Sequence, residues 1–136
     1  MTAMGLIRST ILMKFVRDTI SGPRRKLKVL MPELLAMREE LRVIRKLPPL
    51  SGVTKFFEVV SPWQNRFEQI TKEFRAVNYG QYDEEIKLLE VLANYFKEAT
   101  NTSKEAKENE TFARAFLNLY TKSIPDTISL LRCHFN

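Results

Sequence analysis

The sequence contains one cysteine, Cys133, and one histidine, His134. A lone thiol builds neither an internal disulfide framework nor a cysteine-based zinc site, a usage that fits a reducing compartment. A lone imidazole near the end of the sequence leaves little for metal ligation or acid–base work, and neighbours in sequence point differently on a helix. The four glycines are scattered, whereas a phosphate-cradling or dinucleotide-binding loop needs them clustered before a helix. No apolar run approaches the roughly 18 residues of a membrane span. Charges interrupt every apolar run before it reaches a secretory hydrophobic core. What is present is 44% hydrophobic and 28% charged residues in a chain of 136, the composition of one soluble globular domain.

The net charge of +6 is unevenly placed. Residues 1–55 carry 12 Lys and Arg against 4 Asp and Glu, while residues 56–136 carry 10 against 12. Such an asymmetry points the amino-terminal part toward something anionic: an acidic protein, a lipid headgroup surface or a nucleic acid backbone. Within residues 1–28 the basic Arg8, Lys14, Arg17, Arg24, Arg25, Lys26 and Lys28 face one acid, Asp18, and alternate with Ser9, Thr10, Thr19 and Ser21. In a helical reading Ile7, Ile11, Phe15 and Thr19 share one side, flanked by Leu6 and Met13. This pattern fits a mitochondrial targeting segment and equally a basic surface helix of an ordinary domain. Residues 1–28 are therefore read as a basic amphipathic amino-terminal helix, targeting-like or a docking arm, and residues 29–136 as a single helical bundle domain.

Gly22-Pro23, Pro48-Pro49 with Gly52, Pro62 and Gly80 divide the chain, and between them the apolar period is near 3.6. Only Phe56 to Val60 is ambiguous with a strand. Leu34, Met37, Leu41 and Ile44 form the buried stripe of a helix ended by Pro48-Pro49, while Arg38, Arg42 and Arg45 repeat on another face. Only Glu39 stands where it neutralises one of these arginines at close helical spacing, Arg42, so the residues read either as a bare arginine ridge or as a solvated helix face. Ser61-Pro62-Trp63-Gln64 reads as an N-cap, a first-turn proline and a capping-box glutamine, opening a helix with the stripe Trp63, Phe67, Ile70, Phe74 and Val77. Asn78-Tyr79-Gly80 closes it, with a glycine suited to a left-handed cap. Asp83 caps the next helix, whose rows Ile86, Leu89, Ala93, Phe96 and Leu88, Leu92, Tyr95, Ala99 mark it as central. Thr102 and Glu105 form a second capping-box signature, opening a helix with Phe112, Phe116, Leu119 and Ser123 on one side, interrupted at Pro125-Asp126 before a short piece from Ile128 to Phe135. The expected fold is an all-α bundle: four main helices, an amino-terminal basic helix and a carboxy-terminal turn or two.

Leu35-Ala36-Met37-Arg38-Glu39-Glu40-Leu41-Arg42-Val43-Ile44-Arg45-Lys46-Leu47-Pro48 resembles the first helix of LYR-motif proteins, in which a Leu-Tyr-Arg tripeptide precedes an arginine-rich apolar run that often ends in proline. Here the tripeptide reads Ala36-Met37-Arg38. Ile70-Thr71-Lys72-Glu73-Phe74-Arg75, then Asp83-Glu84-Glu85-Ile86 and Leu88-Leu89, are similar to that family's second helix, acidic turn and third helix. The resemblance covers roughly residues 34–98. It implies a three-helix LYR-like core with an additional carboxy-terminal helix, and a non-enzymatic mitochondrial adaptor that docks acyl carrier protein while serving as accessory subunit or assembly factor of a respiratory complex or the mitochondrial ribosome.

The physics beside that resemblance is charge complementarity. Arg38, Arg42 and Arg45, joined by Lys46, Arg66 and Arg75, would supply charge-assisted bonds to an acidic partner's carboxylates and to a phosphopantetheine phosphate. A seam lined by Leu34, Met37, Leu41, Phe67, Ile70, Phe74, Leu89 and Phe96 would either part for the partner's acyl chain or stay a dry closed core. No cofactor of the chain's own and no metal is expected. The rival reading is a basic helical accessory protein, a viral one included, that lays residues 1–46 on RNA or an anionic membrane surface.

Overall fold

The computed structural model describes the backbone of residues 3–134 and the side chains of residues 22–134. Five helices make up the described chain: α1 Ala3–Ile44, α2 Pro49–Val77, α3 Asp83–Asn101, α4 Ser103–Glu108 and α5 Glu110–Cys133. The expected all-α bundle is what the chain forms, and no strand occurs among the described residues, Phe56 to Val60 included. None of these helices is long and apolar enough to cross a membrane.

The prolines do not divide the helices as the sequence predicts. α1 runs unbroken through Pro23 and Pro32, α2 through Pro62 and α5 through Pro125. Each interior proline removes one helical N–H, a penalty of about 3 kcal/mol. Burial on both sides outweighs it. Leu27, Met31 and Leu34 around Pro32 lie at 8% exposure or less, as do Val60 and Trp63 around Pro62. In α2 the buried residues Val53, Phe56, Val60, Trp63, Phe67, Ile70 and Phe74 recur at alternating steps of three and four, a single stripe that begins well before the proline. Ser61 is accordingly no cap; its hydroxyl donates to the Phe57 carbonyl one turn back. The basic amino-terminal segment is likewise continuous with the first bundle helix, without a break at residue 28.

The turn after α2 follows the expected chemistry. Asn78 Oδ1 accepts from the backbone N–H groups of Gly80 (3.1 Å) and Tyr82 (2.9 Å), and Asn78 Nδ2 donates to Asp83 (2.8 Å). Gly80 takes φ +100°, a region where a Cβ is strained. Asp83 is not the cap expected of it: α3 begins at Asp83 behind Tyr82 with no side-chain cap, because the Asp83 carboxylate accepts from Asn78 instead. Asp83, Glu84 and Glu85 occupy the first turn, where the helix dipole favours acids.

Thr102 opens only the short α4, its hydroxyl donating back to Glu98 rather than capping forward. The long helix starts instead at Asn109, whose side chain accepts the Phe112 N–H at 3.0 Å. The buried face of α5 is Ala113, Phe116, Leu117, Tyr120, Thr121, Ile124, Ile128 and Leu131. Of the expected row only Phe116 is buried; Phe112 and Leu119 stand 39% and 52% exposed. α5 carries more than one apolar row, and packing on the four other helices selects the one that faces inward.

α1 lies antiparallel to both α2 and α5. Arg66 pairs with Glu33 and Lys26 with Glu73 along one seam. Along the other, Arg24 donates to the His134 carbonyl, Arg38 to Ser129, and Arg114 to the Arg45 and Leu47 carbonyls. Arg114 thereby holds the turn that directly follows α1. An edge-on aromatic contact, Phe56–Phe116 at 5.1 Å, joins α2 to α5 in the core, and Phe116–Tyr120 at 4.8 Å continues it along α5.

Candidate partner-binding site

The six cations singled out in the sequence do not form one ridge. Arg38 is largely buried: its side chain is 15% exposed, with Nη1 on Ser129 Oγ at 3.1 Å and Nε on Glu39 Oε1 at 3.2 Å. Arg42 Nη1 reaches the same Glu39 oxygen at 2.6 Å. Arg66 pairs with Glu33 at 2.9 Å and lies over the Trp63 ring, 4.9 Å from its centroid. Arg75 pairs with Glu90 of α3. The expected bare ridge is therefore corrected at Arg38, Arg42, Arg66 and Arg75. Glu39 serves two arginines because it lies between them on adjacent turns, while Glu33 and Glu90 come from neighbouring helices that sequence spacing could not bring into play.

Arg45 and Lys46 differ. Both are exposed at the end of α1, and neither has a carboxylate partner among the described residues. With Arg42 they line a groove of about 550 Å³ between α1 and α5, whose other wall is Thr121, Lys122, Pro125 and Asp126. Val43, 63% exposed, contributes apolar surface between the charges. Four cations thus converge around two acids, Glu39 and Asp126.

Lys122 escaped the sequence reading. It lies 76 positions after Lys46 in the sequence, and only the antiparallel packing of α1 on α5 joins the two. Arg114 escaped too, although it holds the α1 end on which Arg45 and Lys46 stand, by two donations of 2.8 Å to main-chain carbonyls.

A second groove, about 840 Å³, opens between α1 and α2. Its floor is Val29, Leu30 and Ile70, and its rims carry Arg25, Lys26, Arg66 and Glu73. Lys26 Nζ donates to Glu73 Oε1 at 2.8 Å, while Glu73 Oε2 is buried without a hydrogen-bond partner.

No family model matches this chain, and neither a curated protein nor a solved structure matches it.

The eight residues of the expected acyl-chain seam do meet. Leu34, Met37, Leu41, Phe67, Ile70, Phe74, Leu89 and Phe96 all belong to one core at 5% exposure or less. Phe67 and Phe96 pack with ring centroids 5.2 Å apart, and Phe74 meets Tyr82 edge-on at 5.1 Å. Only Ile70 borders either groove, so in this state the seam is closed. Cys133 and His134 are exposed at the end of α5, and no three metal-binding side chains converge among the described residues.

Proposed function

We propose that this chain is a non-enzymatic helical adaptor that docks an acidic protein against the basic end of α1. The observation that carries the reading is the convergence of Arg42, Arg45 and Lys46 with Lys122 in the α1–α5 groove, where Arg45 and Lys46 lack an internal carboxylate. Uncompensated cations at a protein surface steer an anionic partner and fix its orientation more than they add raw affinity. Arg114 keeps the α1 end rigid, so the cations present one geometry to that partner.

The LYR resemblance supplies the partner, acyl carrier protein, and the setting, an accessory subunit or assembly factor of a respiratory complex or the mitochondrial ribosome. Its support is positional. The arginine-rich segment closes α1, Ile70 to Arg75 lies on α2, and Asp83 to Ile86 opens α3, so the LYR-like pieces fall in order on consecutive helices. The stretch from Pro49 to Ser61 is helix rather than loop, which makes α2 a long second helix directly after Pro48. The phosphopantetheine phosphate of such a partner would meet Arg45, Lys46 or Lys122 first, because Arg38 is engaged within the bundle.

The test is titration of the full chain with acyl-loaded acyl carrier protein, read by calorimetry at low and physiological salt. Reversing both Arg45 and Lys46 to Glu replaces two attractions by two repulsions. Exposed pairs contribute about 0.2–1 kcal/mol each, so the variant should bind about tenfold to a hundredfold more weakly. Absence of binding, or binding unchanged in Arg45→Glu/Lys46→Glu, overturns the reading. Salt-sensitive binding of RNA or anionic vesicles by the same face, without acyl carrier protein binding, transfers it to the rival.

A further inference from the structure

α5 packs one side against the other four helices and leaves the opposite side bare. Three of the seven large apolar side chains exposed among the described residues stand on that bare side: Phe112, Leu119 and Leu130, at 39%, 52% and 57% exposure. At 100° per residue they fall on one line, within an arc of about 20°. Single surface leucines need no explanation, but a row on one helix face is an uncovered contact surface. Lys122 and Asp126, both exposed, lie between the two leucines along the helix and within about 80° of their line. Neither makes an ion pair or a side-chain hydrogen bond among the described residues.

The order along the helix is leucine, cation, anion, leucine. Read from the other end it becomes leucine, anion, cation, leucine, which is the complement of the first. A second α5 laid antiparallel therefore sets Leu119 level with the other copy's Leu130 and Lys122 level with its Asp126, and two-fold symmetry makes each contact twice. The midpoints of both pairs lie between residues 124 and 125 or at 124, and coincide to within about 1 Å at helical rise, so one register satisfies both. An interface between identical subunits requires this self-complementarity. A parallel arrangement would instead set Lys122 against Lys122 and Asp126 against Asp126.

We infer that the bare face of α5 docks a second copy of this chain, antiparallel, with leucine contacts on either side of two central Lys122–Asp126 ion pairs. A bilayer surface is disfavoured, because a helix lying in it keeps its apolar stripe free of charge, and here a carboxylate stands between the leucines. One helix-on-helix contact about 27 Å long, from Phe112 to Leu130, buries less than the roughly 1,200 Å² of a stable interface, so the pair is reversible. Lys122 and Asp126 also line the α1–α5 groove, so pairing sets the grooves of the two copies side by side. Arg45 and Lys46, on which the adaptor reading rests, stand on the α1 side and are no part of this face.

The experiment is sedimentation equilibrium of the full chain from about 10 to 500 µM at physiological salt, which screens the cations of α1. The parent should show a monomer–dimer equilibrium with a dissociation constant on the order of 100 µM. Lys122→Asp alone sets acid against acid and Asp126→Lys alone sets cation against cation, and each should weaken association by at least about tenfold. Mixing the two variants in equal amounts should restore it, because every charge contact of the mixed antiparallel pair again joins opposite signs. Leu119→Glu, at an exposed position, should abolish association while leaving the circular dichroism melt and acyl carrier protein binding as in the parent. Arg45→Glu/Lys46→Glu should leave association intact, so this pairing and the adaptor reading fail or stand separately. The inference is overturned if the parent is monomeric at 500 µM, if either single variant associates as the parent does, or if their mixture stays monomeric. It is equally overturned if Leu119 governs flotation with phosphatidylglycerol vesicles and not self-association.

Discussion

Replacing Gly52 by Ala sets two effects of opposite sign against each other. Gly52 lies in the first turn of α2, where its N–H bonds the Pro48 carbonyl at 2.8 Å, and helix propensity alone would favour alanine by about 1 kcal/mol. A Cβ there would lie 2.6 Å from Leu117 Cδ1, 3.4 Å from the Ile44 carbonyl oxygen and 3.6 Å from Leu47 Cβ. The contact with Leu117 must open by about 1 Å to reach ordinary van der Waals distance. Leu117 is fully buried, so its methyl has no free space to move into, and overpacking a filled core costs about 1–3 kcal/mol. Packing should win, leaving Gly52→Ala about 1–2 kcal/mol less stable, a fall in Tm of about 4–8 °C for a chain of this size. Thermal melts by circular dichroism and a urea midpoint at unchanged m-value would measure it. Leu117→Ala alone should cost about 2–5 kcal/mol, and the double variant less than the sum by at least about 1 kcal/mol, because removing Cδ1 removes the clash. A raised Tm in Gly52→Ala, or simple additivity with Leu117→Ala, would refute the close approach of α2 and α5 at the end of α1.

Arg114→Ala removes both donations to the carbonyls of Arg45 and Leu47 in the turn after α1; one acceptor returns to water and the other is part-buried, so the expected loss is about 2 kcal/mol, read by the same melts, together with weaker acyl carrier protein binding. Arg38→Glu should act on stability rather than on partner affinity, since Arg38 bridges α1 to Ser129 of α5; an undiminished Tm with lost binding would contradict that assignment. Burial raises the Tyr120 hydroxyl pKa above its ordinary 10.0, with the Glu98 charge adding to it, and burial raises Tyr82 likewise. Both folded-state values exceed the unfolded ones, so this stability is fully present below the ordinary tyrosine pKa and is lost as pH rises through it toward the folded values. Alkaline unfolding should therefore steepen there in the parent chain and less so in Tyr120→Phe, as followed by tyrosinate absorbance and circular dichroism.

Periodicity was enough to place the core. Leu34, Met37, Leu41, Phe67, Ile70, Phe74, Leu89 and Phe96 were identifiable because a helix must bury every third or fourth side chain, and all eight are buried together. The turn at Asn78 to Gly80 was legible for a similar reason: its chemistry is local, carried by one side-chain amide and one residue free to take positive φ. Helix boundaries were not, because a proline's local penalty of about 3 kcal/mol is comparable to what a few flanking buried side chains supply, and only packing decides which is larger.

By itself, then, the sequence determined an all-α chain with a buried apolar stripe and a basic amino-terminal part, since composition and spacing act within a few residues. Apart from Arg42, which Glu39 neutralises one turn away, tertiary structure decided which cations stay uncompensated. Glu33 and Glu90 reach Arg66 and Arg75 only across helix pairs, Ser129 draws Arg38 inward only across α1 and α5, and Lys122 joins Arg45 and Lys46 only through that same packing. Electrostatic neutralisation depends on distance in space, and residues far apart along the chain have none until the bundle closes.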